Sequence, residues 1–325
     1  MRKPGFLKAA FVYTAYLLLV CIGCTRSSQP IIAFIPQTTA DDLWEPAHQG
    51  ALDATKATAY SIYWNGPTSD DDIQTQIGLL DEAVDRHAAG IILAPNHSLA
   101  LMIPVLRATS RNIPIVVIGS PLSLSASSRL FYVLNDEEEE GRIAARRIGE
   151  QLDDKGSVAI LGLNPDNGGE FQRMRAFEAT LLHEFPHITI LARYLTSSSQ
   201  AQAEQIAHRV VTGNHRPDAI LAFTRKSTLG ALRAIESGGK GKRIILVGCD
   251  QNYALLYYLS QGKVDSIIAE NTYEMGFQAA QVILSAGSGN HPADMSYVKP
   301  ILITRENMSS PVLLNILTHD ARVRH

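Results

Sequence analysis

The sequence predicts an α/β protein made of two doubly wound parallel-sheet lobes. Three observations carry this. Short apolar runs of strand length alternate with amphipathic helical stretches from residue 31 to about residue 304. Alternation of that kind implies parallel sheets with helices on both faces. About ten strands are too many for one comfortable sheet, and 325 residues give room for two lobes with sizeable cores.

The elements follow in order. Residues 31–35 form an apolar strand, then a polar loop from Gln37 to Asp42, then a helix from Trp44 or Pro46 to Ala57. A strand at 60–64 leads to the cap signal Thr68-Ser69-Asp70-Asp71-Asp72 and a helix reaching His87. Ile73, Ile77, Leu80 and Val84 share one face of that helix. Strand 90–94 breaks at Pro95, helix 99–110 follows, and strand 115–118 stops at Gly119-Ser120-Pro121 before a shorter strand at 131–134. After Asn135 the pattern repeats: helix 138–152, strand 157–161, helix 170–185, strand 189–194, helix 199–212, strand 219–223 and helix 227–237. A helix from Gly276 to about Ser285 and an extended segment 298–304 close the fold, and residues 310–325 read as a polar tail. The two halves share element order but no evident sequence self-similarity.

The stretch 243–276 concentrates the chemistry. Strand 244–247 ends in Cys249-Asp250-Gln251-Asn252, an amphipathic helix 253–261 crosses over, and strand 265–269 ends in Glu270-Asn271-Thr272. Two parallel neighbours therefore each end in a carboxylate. Ligands of open α/β sheets bind beyond the carboxyl ends of the strands, so Asp250 and Glu270 face one crevice. Taken alone, such a pair also suits acid–base catalysis.

Composition is that of an ordinary soluble globular protein. The formal charge is −3, and about −6 once Arg2, Lys3 and Lys8 are removed with residues 1–23. No concentrated basic face suggests a nucleic-acid partner. The basic start and the apolar run 9–22 read as a signal peptide over residues 1–23, too short for a confident membrane span. Cys21-Ile22-Gly23-Cys24 resembles a bacterial lipobox, with Cys21 where leucine is usual. Cys24 is then the lipidated mature N-terminus and residues 24–29 a tether. An uncleaved anchor and an ordinary secreted product are the alternatives, and all three export the chain. With Cys21 removed and Cys24 lipidated, Cys249 is left alone and no intrachain disulfide is expected.

The chain resembles the periplasmic sugar-binding proteins of the ribose/galactose type, whose fold is shared by the ligand domains of LacI-type regulators. Three pieces carry the likeness: Ala219-Ile220-Leu221-Ala222-Phe223 followed by Thr228-Leu229-Gly230-Ala231-Leu232, Ile245-Leu246-Val247-Gly248-Cys249-Asp250, and Ile267-Ile268-Ala269-Glu270 through Met275-Gly276. Pro95, Asn135-Asp136 before Gly141, and Ile303-Thr304-Arg305-Glu306-Asn307 also fit. An export signal in place of a DNA-binding helix-turn-helix favours the extracytoplasmic branch. The resemblance implies Rossmann-like lobes joined by three crossing segments, near Leu134-Asn135, Glu270-Asn271 and Lys299-Pro300. The lobes become 30–134 with 271–298, and 135–270 with 299–309. Ligand enters the open cleft and hinge closure buries it.

The same resemblance assigns site roles. Asp41, Leu43 and Trp44 fall where the family has a polar residue and two aromatics that stack on sugar rings. Trp44 packing the first helix is the plain alternative, and Leu43 departs from the aromatic pattern. Asp250 matches a carboxylate that accepts ligand hydroxyls, and Glu270 a hinge amide or carboxylate. Helix capping and hinge solvation are their alternatives. Asn135 lines another crossing, and Thr224 and Arg225 follow a second-lobe strand, Arg225 offering a planar fork. Two departures stand out. Gly119-Ser120 replace an Asp-Arg pair that grips hydroxyls, and Phe171 replaces an arginine, with Arg173 two residues on. These argue for a different polyol or a partly apolar ligand. Glu137 to Glu140 are explained by the helix dipole, which favours anions in a first turn. No metal, cofactor or catalytic residue is expected. The function expected is monomeric capture of a small polar, carbohydrate-like solute for an ABC transporter permease, with signalling to a sensor kinase or chemoreceptor as the alternative and an enzyme using Asp250 and Glu270 as the remote one.

Overall fold

A computed structural model describes residues 29–40, 43–69, 71–164, 168–195, 199–238, 243–310 and 313. The expected signal peptide, Cys24, Asp41 and most of the polar tail lie outside the described residues. The first half builds β1 (Ile31–Ile35), α1 (Glu45–Thr55), β2 (Ser61–Trp64), α2 (Ile73–Asp85), β3 (Gly90–Leu93), α3 (Met102–Ser110), β4 (Ile115–Gly119) and β5 (Leu130–Asn135). The second builds α4 (Glu137–Leu152), β6 (Gly156–Leu163), α5 (Gly168–Glu184), β7 (Ile188–Leu195), α6 (Gln200–Thr212), β8 (Ala219–Ala222), α7 (Arg225–Ser237), β9 (Ile245–Cys249), α8 (Tyr253–Ser260) and β10 (Ser266–Ala269). The chain finishes with α9 (Thr272–Gly287), β11 (Met295–Val298) and β12 (Ile301–Thr304).

These strands form two six-stranded sheets, ordered β2-β1-β3-β4-β5-β11 and β7-β6-β8-β9-β10-β12. Every pairing is parallel except β10 with β12. Central strands β3, β4 and β5 are buried along their whole length, as parallel strands covered on both faces must be. Edge strand β7 instead alternates exposed with half-buried positions after Ile188. In the first sheet Ala33, Ile35, Ile91, Leu93, Ile115 and Val117 pack toward Leu80, Val84 and Val105. Their neighbours Ile32, Phe34, Ile92, Val116 and Ile118 point the other way, toward Ala47, Met275 and Ala279. The period-2 alternation of strands thus divides the core into two layers.

Two expectations need correction. The extended segment expected over residues 298–304 is two strands in different sheets: β11 pairs with β5 and β12 pairs with β10. Pro300 lies between them, and its missing N–H interrupts any continuous ladder. The third helix starts at Met102, not at Leu99, because the Leu99 and Ala100 N–H groups bond to His97 Nδ1 at 3.2 and 3.3 Å.

The chain crosses between the sheets three times, after β5, after β10 and between β11 and β12. The first two crossings share a local design. Asp136 caps α4 by accepting from the Glu139 N–H, and Asn271 caps α9 by accepting from the Glu274 N–H. Their backbones nearly coincide, at φ −81°, ψ 80° and φ −84°, ψ 71°. Five residues beyond each cap stands a glycine at a helix crossing. A Cβ on Gly141 would lie 2.2 Å from the Arg173 carbonyl of α5, and one on Gly276 would lie 1.9 Å from the Ala47 carbonyl of α1. Both obstacles are backbone and cannot rotate away. Gly276→Ala should therefore cost about 3 kcal/mol, at the upper end of overpacking penalties. Urea unfolding of the variant checks this, and an unchanged midpoint would mean that the helices separate freely.

Candidate functional site

The carboxyl ends of β8, β9 and β10 converge on one cluster. Thr224 caps α7: its Oγ1 accepts the Ser227 N–H at 3.1 Å while Ser227 Oγ accepts the Thr224 N–H at 3.0 Å. Its hydroxyl is thereby committed to the capping box. The next N–H, that of Arg225, donates to Asp250 Oδ2 at 3.2 Å. Asp250 reaches that point by taking φ +65°, the left-handed region that asparagine and aspartate tolerate better than bulkier residues. Its carboxylate then sits at the N-terminus of α7, where the helix dipole favours an anion. Gln251 ties β9 to the next crossing, its Nε2 donating to the Glu270 carbonyl at 3.1 Å.

The other wall comes from α4 and α5. Glu137 and Glu140 are three residues apart and turn inward, while Glu138 and Glu139 turn out to Arg142 at 3.4 and 2.7 Å. Arg173 of α5 lies between the inward pair. Its Nε donates to Glu137 Oε2 at 2.8 Å, its Nη2 lies 2.7 Å from the same oxygen, and its Nη1 lies 3.0 Å from Glu140 Oε1. Nη1 also donates to the Phe223 carbonyl at 3.2 Å. Asn135 Nδ2 donates to the second Glu140 oxygen at 2.6 Å. Arg173 is 3% exposed and Glu140 fully buried, so this ion pair is shielded from solvent. Carboxylate oxygens of Glu137, Glu140 and Glu270 lie within 4.8 Å of one another, a spacing that one cation can bridge.

Burial sets the electrostatics. It raises Glu140 to about 8 against the lowering pull of Arg173, and Glu137 adds to the rise. Glu170, whose Oε2 accepts the Asn164 N–H at 2.7 Å, is raised to about 7 by burial. Glu270 is pushed well up by burial and then by the charges of Asp250, Glu137 and Glu140. Asp250 also moves up by burial, with Arg173 and the Arg225 N–H opposing. Burial works against the charge on Arg173 too, but Glu137 and Glu140 outweigh it and hold the guanidinium ionised. Cys249, the strand residue before Asp250, is a free buried thiol that burial pushes well above its ordinary range.

On the first sheet's side, Trp44 is 2% exposed and packs with Ile118, Ala94 and Ala47, fastening α1 to the sheet. A Cβ on Gly119 would lie 2.8 Å from Trp44 Cη2, and Gly119 itself has φ +75°. The glycine noted in the sequence is thus what the indole requires. Leu43 is half-buried and its carbonyl accepts from Thr272 Oγ1 at 3.1 Å. Phe171 is 46% exposed on the first turn of α5, away from the buried network that holds Arg173 two residues later.

A family model described as "Periplasmic binding protein domain" matches residues 32–291. The chain belongs to the periplasmic binding protein family. Among relatives of this periplasmic binding protein, the D-allose-binding periplasmic protein of Escherichia coli is 23% identical over 285 residues, spanning 84% of this chain and 91% of that one. The xylitol-binding protein of Mycolicibacterium smegmatis is 23% identical over 255 residues, 78% of this chain and 71% of that one. The fold is shared with an ABC transporter solute-binding protein from Agrobacterium vitis crystallised with D-fucose, at 25% identity and a TM-score of 0.78 over 88% of this chain and 99% of that one.

In this periplasmic binding protein the candidates Asn135, Arg173, Thr224, Arg225, Asp250 and Glu270 gather around one network, whereas Trp44, packed under α1, and the exposed Phe171 are not among its partners. Sequence reasoning missed Glu137, Glu140 and Gln251. For the two glutamates a signal existed. Gly141, Ala144, Ala145 and Ile148 form the buried stripe of α4, and one turn back that stripe lands on Glu137 and Glu140. The dipole accounts for a helix that begins with acids, but not for two acids on its buried face.

Proposed function

We propose that this protein captures a small polyhydroxylated solute, a sugar or polyol, between its two lobes and presents it to the permease of an ABC transporter. The observation that carries this reading is the convergence of Asp250 and Glu270 with Glu137 and Glu140 at the carboxyl ends of β8, β9 and β10; in this reading Asp250 and Glu270 accept ligand hydroxyls. D-allose and xylitol, for which two relatives are named, and the D-fucose bound to the Agrobacterium vitis protein point to the same class of solute. Residues 30–134 with 271–298 make one lobe, 135–270 with 299–309 the other, and the crossings between them serve as the hinge. The protein works as a monomer, exported and held at the membrane through a lipid on Cys24.

No catalysis is assigned. A working acid–base pair needs environments that push two pKa values apart, and here burial moves Asp250 and Glu270 in the same direction. A thermal-shift screen of the purified protein tests the reading. At 100 times its dissociation constant a bound solute adds about 2.7 kcal/mol, or roughly 5 °C for a protein of this size. Sugars or polyols should give that rise; a rise with amino acids or nucleosides alone would remove the carbohydrate reading.

A further inference from the structure

The hinge end of the cleft carries more negative charge than its own cations balance. Five carboxylates, Glu137 and Glu140 from α4, Glu170 from α5, Asp250 after β9 and Glu270 after β10, share the field of Arg173 from α5 and Arg225 from α7. Among these residues three negative charges are left over when all five carboxylates are ionised. Three of the five, Glu137, Glu140 and Glu270, present oxygens within 4.8 Å of one another, from two different crossings of the chain.

A separate observation concerns hydrogen bonding. Asn135 is 1% exposed and Gln251 8% exposed, and each uses its amide N–H2 within the site. The carbonyl oxygen of each, Asn135 Oδ1 and Gln251 Oε1, is buried with no hydrogen-bond partner. Glu140 Oε1 is likewise without one, since Arg173 Nη1 approaches it at 3.0 Å but off the hydrogen-bonding direction. A buried acceptor left this way has lost its water without gaining a donor in exchange. All three are acceptors, and they flank the acidic cluster: the Asn135 amide is bonded to Glu140, and the Gln251 amide to the Glu270 carbonyl. What fits such a place is a donor with no acceptor of its own and a positive charge. An ammonium group has three N–H donors and a single charge. A divalent metal ion supplies charge without directed N–H donors for the three acceptors.

We infer that the hinge end of the cleft receives a protonated amine, so that the solute captured is an amino-substituted sugar or polyol. This rests on the carbohydrate reading above and narrows it. In the empty cleft the excess charge is relieved by protons, consistent with burial raising Glu140 to about 8. An entering ammonium replaces those protons, and binding releases them to solvent.

Calorimetry on the purified protein tests this with matched pairs: D-glucosamine against D-glucose, D-galactosamine against D-galactose, and 1-amino-1-deoxy-D-glucitol against D-glucitol. D-allose, D-ribose and xylitol extend the neutral arm. The expected result is at least one amine bound tenfold or more tightly than its neutral parent, with Glu270→Gln shrinking that preference to threefold or less. A neutral member bound as tightly as or more tightly than every amine overturns the inference and leaves the carbohydrate reading standing. An amine preference that survives unchanged in Glu270→Gln overturns the assignment to this cluster. A melting temperature raised by calcium or magnesium chloride alone overturns it in favour of an inorganic cation. No binding by any member of either arm overturns both readings.

Discussion

An Arg173→Met variant should lose about 3–5 kcal/mol of stability, the usual cost of removing one partner from a buried ion pair. Methionine fills similar volume, so the loss would not come from a cavity. It would come from Glu137 and Glu140, which the variant leaves side by side in the interior with no guanidinium between them. The Phe223 carbonyl at the end of β8 would lose its donor as well. Urea unfolding measures the loss. Adding Glu137→Gln and Glu140→Gln to Arg173→Met should recover most of it, because the buried carboxyl groups that Arg173 had compensated are gone. If the triple variant is no more stable than the single one, Arg173 acts through packing instead.

Stability should fall as pH rises from about 5 to about 8. The reasoning follows from proton counts. In the folded protein Glu140 holds its proton up to about pH 8 and Glu170 up to about pH 7, both because of burial. In the unfolded chain a glutamate releases its proton near pH 4.3. Between those limits the folded state binds more protons, so raising the pH favours unfolding, by up to about 1.4 kcal/mol per pH unit for each such group. Above pH 8 the contributions of Glu140 and Glu170 are spent, and what slope remains comes from Glu270, which burial raises well above its ordinary range. Carboxylates held low at the surface, such as Asp72 by Thr75 and Asp154 by His187, are ionised in both states by pH 5 and add nothing to this slope. Melting temperatures at pH 5, 6, 7 and 8 give the test, with Glu140→Gln, an imitation of the protonated acid, flattening the profile. A wild-type protein that gains stability over this range would show that Glu140 is ionised in the folded state.

The sequence made the fold legible because parallel strands buried on both faces leave unbroken apolar runs. Ile91-Ile92-Leu93 and Ala219-Ile220-Leu221-Ala222 are readable without any partner in view. The site was legible at the strand ends, where Asp250 and Glu270 must lie beyond a carboxyl edge. It was not legible on α4 and α5, because a charged side chain inside a protein is recognised by its partner, and Arg173 lies 36 residues from Glu137. Trp44 shows the opposite difficulty. A tryptophan after the first strand suits ring stacking or packing equally well until Gly119 is seen against the indole. The matched caps and glycines of the two crossings escaped notice for another reason. Asp136 and Asn271 are different residues doing one job, and their equivalence is in backbone angles.

The order of the chain has a consequence for biosynthesis. Helix α9 covers Ala47 and Gly50 of α1, and β11 is the edge strand beside β5, yet both follow the entire second sheet except β12. A nascent chain that has emerged only as far as β10 holds five strands of its first sheet with one face missing α9, which shares its covering with α1. Domains made during synthesis generally fold in order from the N-terminus. Here the first sheet is the one that must wait, and the segment on which it waits begins at Asn271, one residue beyond Glu270.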